Sequence, residues 1–288
     1  MAEQNIGDSV QINNPNLAIK ELEGLRDSGL ALSSHQQEKL ADSYAKRAQP
    51  PGKLDAVPDL DAAAREYVDL WSRIDETWAP DRKFTVPYLD EPMALTKEHY
   101  SDVLQYKLAQ TYLMRAAAWI HASQQPEKAR RDLDMAIPIL ERLESEKSLG
   151  AQTTAWEADF ILRARGLLRM GYGFRGNGPD NPAERLRDLD DFMRLWYLSN
   201  GTDLASAPPD ELQMLAGECF RRMNVRRALG HSRGVIEDLH TGIKALEQAR
   251  KGLPNDPVIE EELRKAKSLL PIADFSGFVG GIIKRFKK

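Results

Sequence analysis

The chain is expected to fold entirely from α-helices, stacked as a repeat array, and three observations predict this. Strand signals are absent along its length. Capping residues, prolines and glycines punctuate it, and the stretches between them carry apolar residues at helical period. Finally, one nine-residue pattern recurs over Ala129–Ile137, Arg185–Met193 and Val235–Ile243. Each copy has Asp-Leu in register, then a polar residue, then a small or apolar residue three after the Leu. The three Asp residues, 132, 188 and 238, stand 56 and 50 residues apart. A looser fourth copy falls at Ala63–Leu70. Recurrence at a long period is the sign of a stacked helical solenoid.

The elements can be read in order. Residues 1 to 13 form a polar arm, and Asn14-Pro15 starts a short helix with Ile19, Leu22 and Leu25 on one face, ending near Gly29. Ser34 with Gln37 makes a capping box for a helix carrying Leu40, Ala41, Tyr44 and Ala48. After Pro50-Pro51-Gly52, Asp59 is placed to cap a run through Trp71, Ile74 and Trp78. Residues 79 to 96 hold three prolines and no helical period, so a stiff extended connection is expected, with Phe84, Val86, Tyr88 and Leu89 available for burial. Helices follow over about 97–122 and from Pro126 to about Leu149, the second kinked by Pro138. Thr154 with Glu157 caps a helix to about Met170, and Asn181-Pro182 opens one to about Ser199. Pro208-Pro209-Asp210 opens a helix ending at Gly230, Ser232 one ending at Gly252, and Asp256-Pro257 the last, stopped by Pro271.

Length alone allows one elongated domain or two compact ones. A charged fraction of 29% and a negative mean hydropathy point to a soluble chain. Its net charge of −4 gives the body no reason to seek nucleic-acid phosphates. The single cysteine, Cys219, excludes an intrachain disulfide and a multi-cysteine zinc site, and fits a reducing compartment. The start lacks the basic and apolar regions of a signal peptide, and no apolar run is long enough to span a bilayer. The expected location is the cytoplasm, with peripheral membrane contact through the tail described below.

The first helices of the pairs repeat as well, in Leu40-Ala41-x-x-Tyr44, Leu108-Ala109-x-x-Tyr112 and Leu215-Ala216-x-x-Cys219, whereas the pair over about 154–199 keeps only its second half. Together with the small-bulky-small spacing on the second helices and the junction Leu253-Pro254-Asn255-Asp256-Pro257, this resembles the tetratricopeptide repeat. The resemblance covers roughly residues 34–270. Small-to-small spacings of 22, 20 and 19 residues make these long-helix versions. It implies a right-handed solenoid of about four antiparallel helix pairs with a capping helix, binding a partner protein in a groove lined by first helices. Tyr106, Gln110, Gln213 and Arg221 are the groove residues that the resemblance implies. The domains are then an arm with a short helix (1–30), the helical array (31–271) and a basic amphipathic tail (272–288).

No motif carries catalytic or cofactor chemistry. Gly171-Tyr172-Gly173-Phe174-Arg175-Gly176 matches G-x-G-x-x-G formally, but a helix precedes it where a dinucleotide site needs a strand. It reads as an interhelical loop. The five histidines include no pair four apart, so no metal site is expected. Asp188-Leu189-Asp190-Asp191, with Arg185, Arg187 and Arg194 around it, reads as a solvated, salt-bridged face. Cys219 falls at a packing position, an inert core thiol. The expectation is a non-enzyme without cofactor, an all-α enzyme surviving only if some cleft gathers distant acids and histidines.

The tail is the sharpest local signal. Ile272, Phe275, Phe278, Val279, Ile282, Ile283 and Phe286 fall on one helical stripe, with Lys284, Arg285, Lys287 and Lys288 beside it. Three glycines cost about 1 kcal/mol each, so such a helix needs a surface to form against. An anionic membrane would reward both the stripe and the cations. The function expected from sequence is a protein-interaction scaffold or adaptor tethered by this tail. The alternative is a soluble, chaperone-like or self-associating scaffold whose tail packs on itself or on a partner.

Overall fold

The computed structural model describes residues 14–49, 53–79, 83–84, 86, 93–123, 125–145, 154–178 and 181–270. They are helical almost throughout, and the chain divides into two compact units, Met1–Ser148 and Leu149–Lys288.

In the first unit, helix α1 (Pro15–Asp27) begins where Asn14 accepts a hydrogen bond from the Asn16 N–H, and it buries Ala18, Ile19 and Leu22. Helix α2 (Ser34–Arg47) is capped one residue earlier than the sequence predicts. Ser33 and Gln36 form the reciprocal box, which frees Gln37 to reach across to Asp69 at 2.6 Å. Helix α3 (Val57–Ser72) starts before Asp59, with Pro58 in its first turn. The predicted run to Trp78 breaks at Arg73, after which α4 (Ile74–Thr77) forms a single turn. The break is held from inside: the buried Thr77 hydroxyl donates back to the Leu70 carbonyl, and Arg73 turns its guanidinium onto Asp69 and Gln37.

Of the connection that follows, residues 83–84, 86 and 93–96 are described. Strands β1 (Lys83–Phe84) and β2 (Met93–Ala94) pair antiparallel, a two-residue ladder that no sequence signal announced. Phe84 and Val86 are buried as expected, Phe84 against the ring of Tyr100; Tyr88 and Leu89 lie outside the described residues. Helix α5 (Lys97–Ala118), capped by Thr96, is buried on nearly every side because α3 covers one flank and α6 (Pro126–Ser145) another. Its end loosens into a π-turn at Trp119–Ser123. Pro138, which has no N–H to donate, sits on the exposed side of α6, and the helix continues past it.

In the second unit, α7 (Ala155–Gly176) starts from the predicted Thr154–Glu157 box. It does not end at Met170: the Gly171–Gly176 segment expected as a loop is its last turns. Its glycines serve close packing. A Cβ on Gly176 would stand 3.0 Å from Leu189, and one on Gly173 would just touch Phe192 at 3.5 Å, both on α8 (Pro182–Asn200). Helices α9 (Pro209–Ala228) and α10 (Ser232–Gly252) pack closely, with Gly242 against Phe220. The last described helix, α11 (257–270), is capped by Asp256 and buries Ile259, Leu263 and Ala266, with Lys267 paired to Glu247 of α10.

One device recurs in the four hairpins α2/α3, α5/α6, α7/α8 and α9/α10. An arginine late in the first helix grips an aspartate early in the second: Arg47–Asp59, Arg115–Asp132, Arg175–Asp188 and Arg222–Asp238, with donor–acceptor distances of 2.5 to 2.9 Å. The arginines of the first three lie over a tyrosine three residues back, Tyr44, Tyr112 and Tyr172. Two expectations are corrected. Asp188 is not on a solvated face; it is buried beneath Arg175. The hairpin over 154–199 also keeps its first half, as Leu168, Tyr172 and Arg175, with Arg169 where the others have alanine.

Candidate functional site

Two open concavities lie in the first unit, on either side of α3. Helix α3 leaves this face exposed because α2 and α5 take its two flanks, burying Leu60, Ala63, Tyr67 and Leu70. The face toward solvent is Asp61, Arg65, Val68 and Ser72, spaced four, three and four residues apart. On the α5 side a groove of about 450 Å³ runs from Asp61 and Ala64 past Val68 to Tyr112 and Arg115. On the α1/α2 side another of about 380 Å³ is bounded by Arg26, Gln37, Tyr44 and Glu66. Arg65 and Asp69 border both.

The charges of this ridge are unequally committed. Asp61 takes Arg115, which also forks onto Asp132. Glu66 pairs with Arg26 at 2.8 Å. Asp69 receives Arg73 and Gln37, and these hydrogen bonds hold its carboxyl below the ordinary range. Arg65 is exposed and makes no ion pair among the described residues. Val68, three residues on in the same groove, and Trp71, three beyond Val68 and outside the groove lining, keep about two-fifths of their surface in solvent (41% and 42%), Trp71 with its indole N–H bonded to the Ser101 hydroxyl. A guanidinium with free donors, next to apolar surface in an open groove, can hold an anionic group and an apolar one together.

The groove residues implied by the repeat resemblance fall elsewhere. Tyr106 is buried, only 5% exposed, and Gln110 is half-buried, both on α5. In the second unit Gln213 is half-buried, and Arg221, half exposed, pairs with Glu218 three residues earlier. The tail residues Phe275, Phe278, Val279, Ile282, Ile283, Lys284, Arg285, Phe286, Lys287 and Lys288 lie outside the described residues. The α3 face was missed because its pattern reads as ordinary amphipathic surface. The available signal was Val68 and Trp71, large apolar residues one turn apart on the polar side.

Among the described residues no three His, Cys, Asp or Glu side chains are gathered to hold a metal ion. Burial pushes the Cys219 thiol up to about 12, so it stays protonated. Nor is any described helix long and apolar enough to cross a membrane. No protein-family model, curated protein or solved structure matches this chain.

Proposed function

We propose that this protein is a non-catalytic adaptor that holds a segment of another protein along the exposed side of α3. In the same reading its C-terminal amphipathic stretch draws the assembly to an anionic membrane surface. The observation that supports the adaptor is the α3 ridge: two grooves, acids paired internally, and Arg65, Val68 and Trp71 left to solvent. Apolar groups one turn apart, with an uncommitted guanidinium a turn before them, are a combination that binding surfaces use. Tethering is supported by the seven-residue apolar stripe and four terminal cations.

Site-specific photo-cross-linking in cells tests the adaptor. A benzophenone side chain at Val68 should trap one defined protein, and the same group at Met135, exposed on α6, should not. Equal labelling from both positions would remove the α3 face from consideration. A cross-linked dimer of this chain would favour the self-associating scaffold instead. Co-sedimentation with vesicles tests the tether. The full chain should pellet with anionic and not with neutral vesicles, and a chain truncated after Pro271 should stay in solution with both.

A further inference from the structure

We infer that the segment bound on α3 is acidic, an apolar stretch of protein carrying a carboxylate that docks on Arg65. This rests on the adaptor reading above and specifies the chemistry of its partner. Three acids flank Arg65, and each is already held by a cation of the same unit: Asp61 by Arg115, Glu66 by Arg26 and Asp69 by Arg73. An incoming lysine or arginine would compete with those intramolecular partners and be repelled by Arg65. An incoming carboxylate meets one uncommitted guanidinium whose planar fork suits it. Val68 lies three residues and Trp71 six residues beyond Arg65, so an apolar side chain a turn away from that carboxylate finds a surface to cover.

Charge also selects among occupants. The chain's own tail, with Lys284, Arg285, Lys287 and Lys288, has the wrong sign for this groove. An anionic membrane would find a single free cation here, worth about 1 kcal/mol, too little to hold a surface. The N-terminal arm carries Glu3 and Asp8 and is the competing occupant from within the chain.

The test uses the full chain and three amphipathic probe peptides of identical apolar sequence, with Glu, Gln or Lys at the polar positions. Binding is read by fluorescence anisotropy and by the indole N–H resonance of Trp71, assigned through Trp71→Phe. The Glu peptide should move that resonance and bind about tenfold more tightly than the Gln peptide, as one charge-assisted pair allows. Arg65→Gln and Arg65→Glu should each abolish that preference while leaving helicity unchanged. Equal affinity for Glu and Gln peptides, or a preference that survives both substitutions, overturns the acidic-partner proposal. A Lys peptide that moves Trp71 most does the same, yet leaves α3 as a docking face. If the Glu peptide binds only after residues 2–13 are deleted, the arm is the occupant and an external acidic partner is overturned. If no peptide moves Trp71, the proposal falls, and Val68 cross-linking, which needs no peptide, then decides the adaptor reading separately.

Discussion

Arg222 of α9 donates from Nε and Nη2 to a single oxygen of Asp238 on α10, at 2.9 and 2.6 Å, and Asp238 has almost no solvent contact. Its other oxygen makes no hydrogen bond, although Arg226 Nη1 stands 3.1 Å away. The same guanidinium reaches back to Asp190 of α8. In the first unit Arg115 of α5 does likewise, forking onto Asp132 of α6 and reaching back to Asp61 of α3. One arginine thus ties its own hairpin together and joins it to the helix before, a reason for aspartate to recur two residues apart at 59/61 and 188/190.

Asp238→Ala should therefore be among the most damaging single changes in the second unit. It leaves Arg222 and Arg226, both mostly buried, without the carboxylate between them, and such losses cost about 3–5 kcal/mol. Glu237→Ala next to it removes an exposed partner of Arg233 and should cost less than about 0.5 kcal/mol. Urea unfolding of both variants checks the contrast. Similar losses for the two would mean the recurrent pair is incidental to stability.

Glu218 makes a prediction about pH. It is buried on α9 beside Gly173, one of its oxygens has no hydrogen-bond partner, and burial raises its carboxyl above the ordinary value of 4.5 against the opposing charge of Arg221. The folded chain therefore holds this proton more tightly than the unfolded chain. The resulting stabilisation is complete below the unfolded value and is lost as pH rises through the folded one. Glu218→Gln, which has no charge to bury, should be more stable than the native chain at neutral pH by on the order of 1 kcal/mol. Melting both proteins between about pH 4 and about pH 8 should show the gap close toward the acid end. A gap independent of pH would place the effect elsewhere.

Glycines of the second unit separate local propensity from packing. Gly217 has no neighbour within 4 Å of where a Cβ would stand, so Gly217→Ala should stabilise α9 by roughly 0.5–1 kcal/mol. Gly242 would put a Cβ 2.5 Å from the Phe220 ring. Gly242→Ala gains the same propensity but must push that ring aside, for a net loss of about 1–3 kcal/mol. Thermal melts of the two variants should shift in opposite directions.

Much of the fold was legible in the sequence because it is written in local signals. Asn14-Pro15, Thr154 with Glu157 and Asn181-Pro182 act within one turn, and each begins a helix where expected. The aspartates 132, 188 and 238 were in register, and each is the seventh residue of its helix. What escaped depended on a second helix. By sequence Ala63–Leu70 reads as the fourth copy, whereas Asp59-Leu60-Asp61 holds that place, shown by the arginine that reaches it from α2. The arginines themselves form a pattern with the leucine and the tyrosine or cysteine before them: Leu40, Tyr44, Arg47; Leu108, Tyr112, Arg115; Leu168, Tyr172, Arg175; Leu215, Cys219, Arg222. Requiring a small residue after the leucine hid the third. Arg65 was illegible for a different reason. Its significance is that its neighbours' charges are already engaged, and Arg26, Arg73 and Arg115, which engage them, lie far from it in sequence or on another face.

The most concentrated test of the first unit is Lys107. Its ammonium is buried on α5, donating to Glu38 Oε1 at 2.9 Å and to Asp42 Oδ2 at 3.0 Å, both on α2. Tyr67 of α3 donates its hydroxyl to the other oxygen of Asp42 at 2.6 Å, so three helices meet on one cation. Burial raises the Tyr67 hydroxyl well above its ordinary value, with the Asp42 carboxylate acting the same way, so this donor stays protonated. Lys107→Met fills the space and removes the charge, leaving the buried Glu38 carboxylate without its cation and with the Tyr100 hydroxyl at 3.4 Å, at a cost of about 3–5 kcal/mol. Adding Glu38→Gln removes the orphaned charge. The double variant should then be more stable than Lys107→Met alone, with a coupling energy of about 0.5–3 kcal/mol in a double-mutant cycle. Strict additivity would show that the two groups do not share their burial. In that case α2, α3 and α5 would be held by their apolar faces alone, with the polar centre only tolerated.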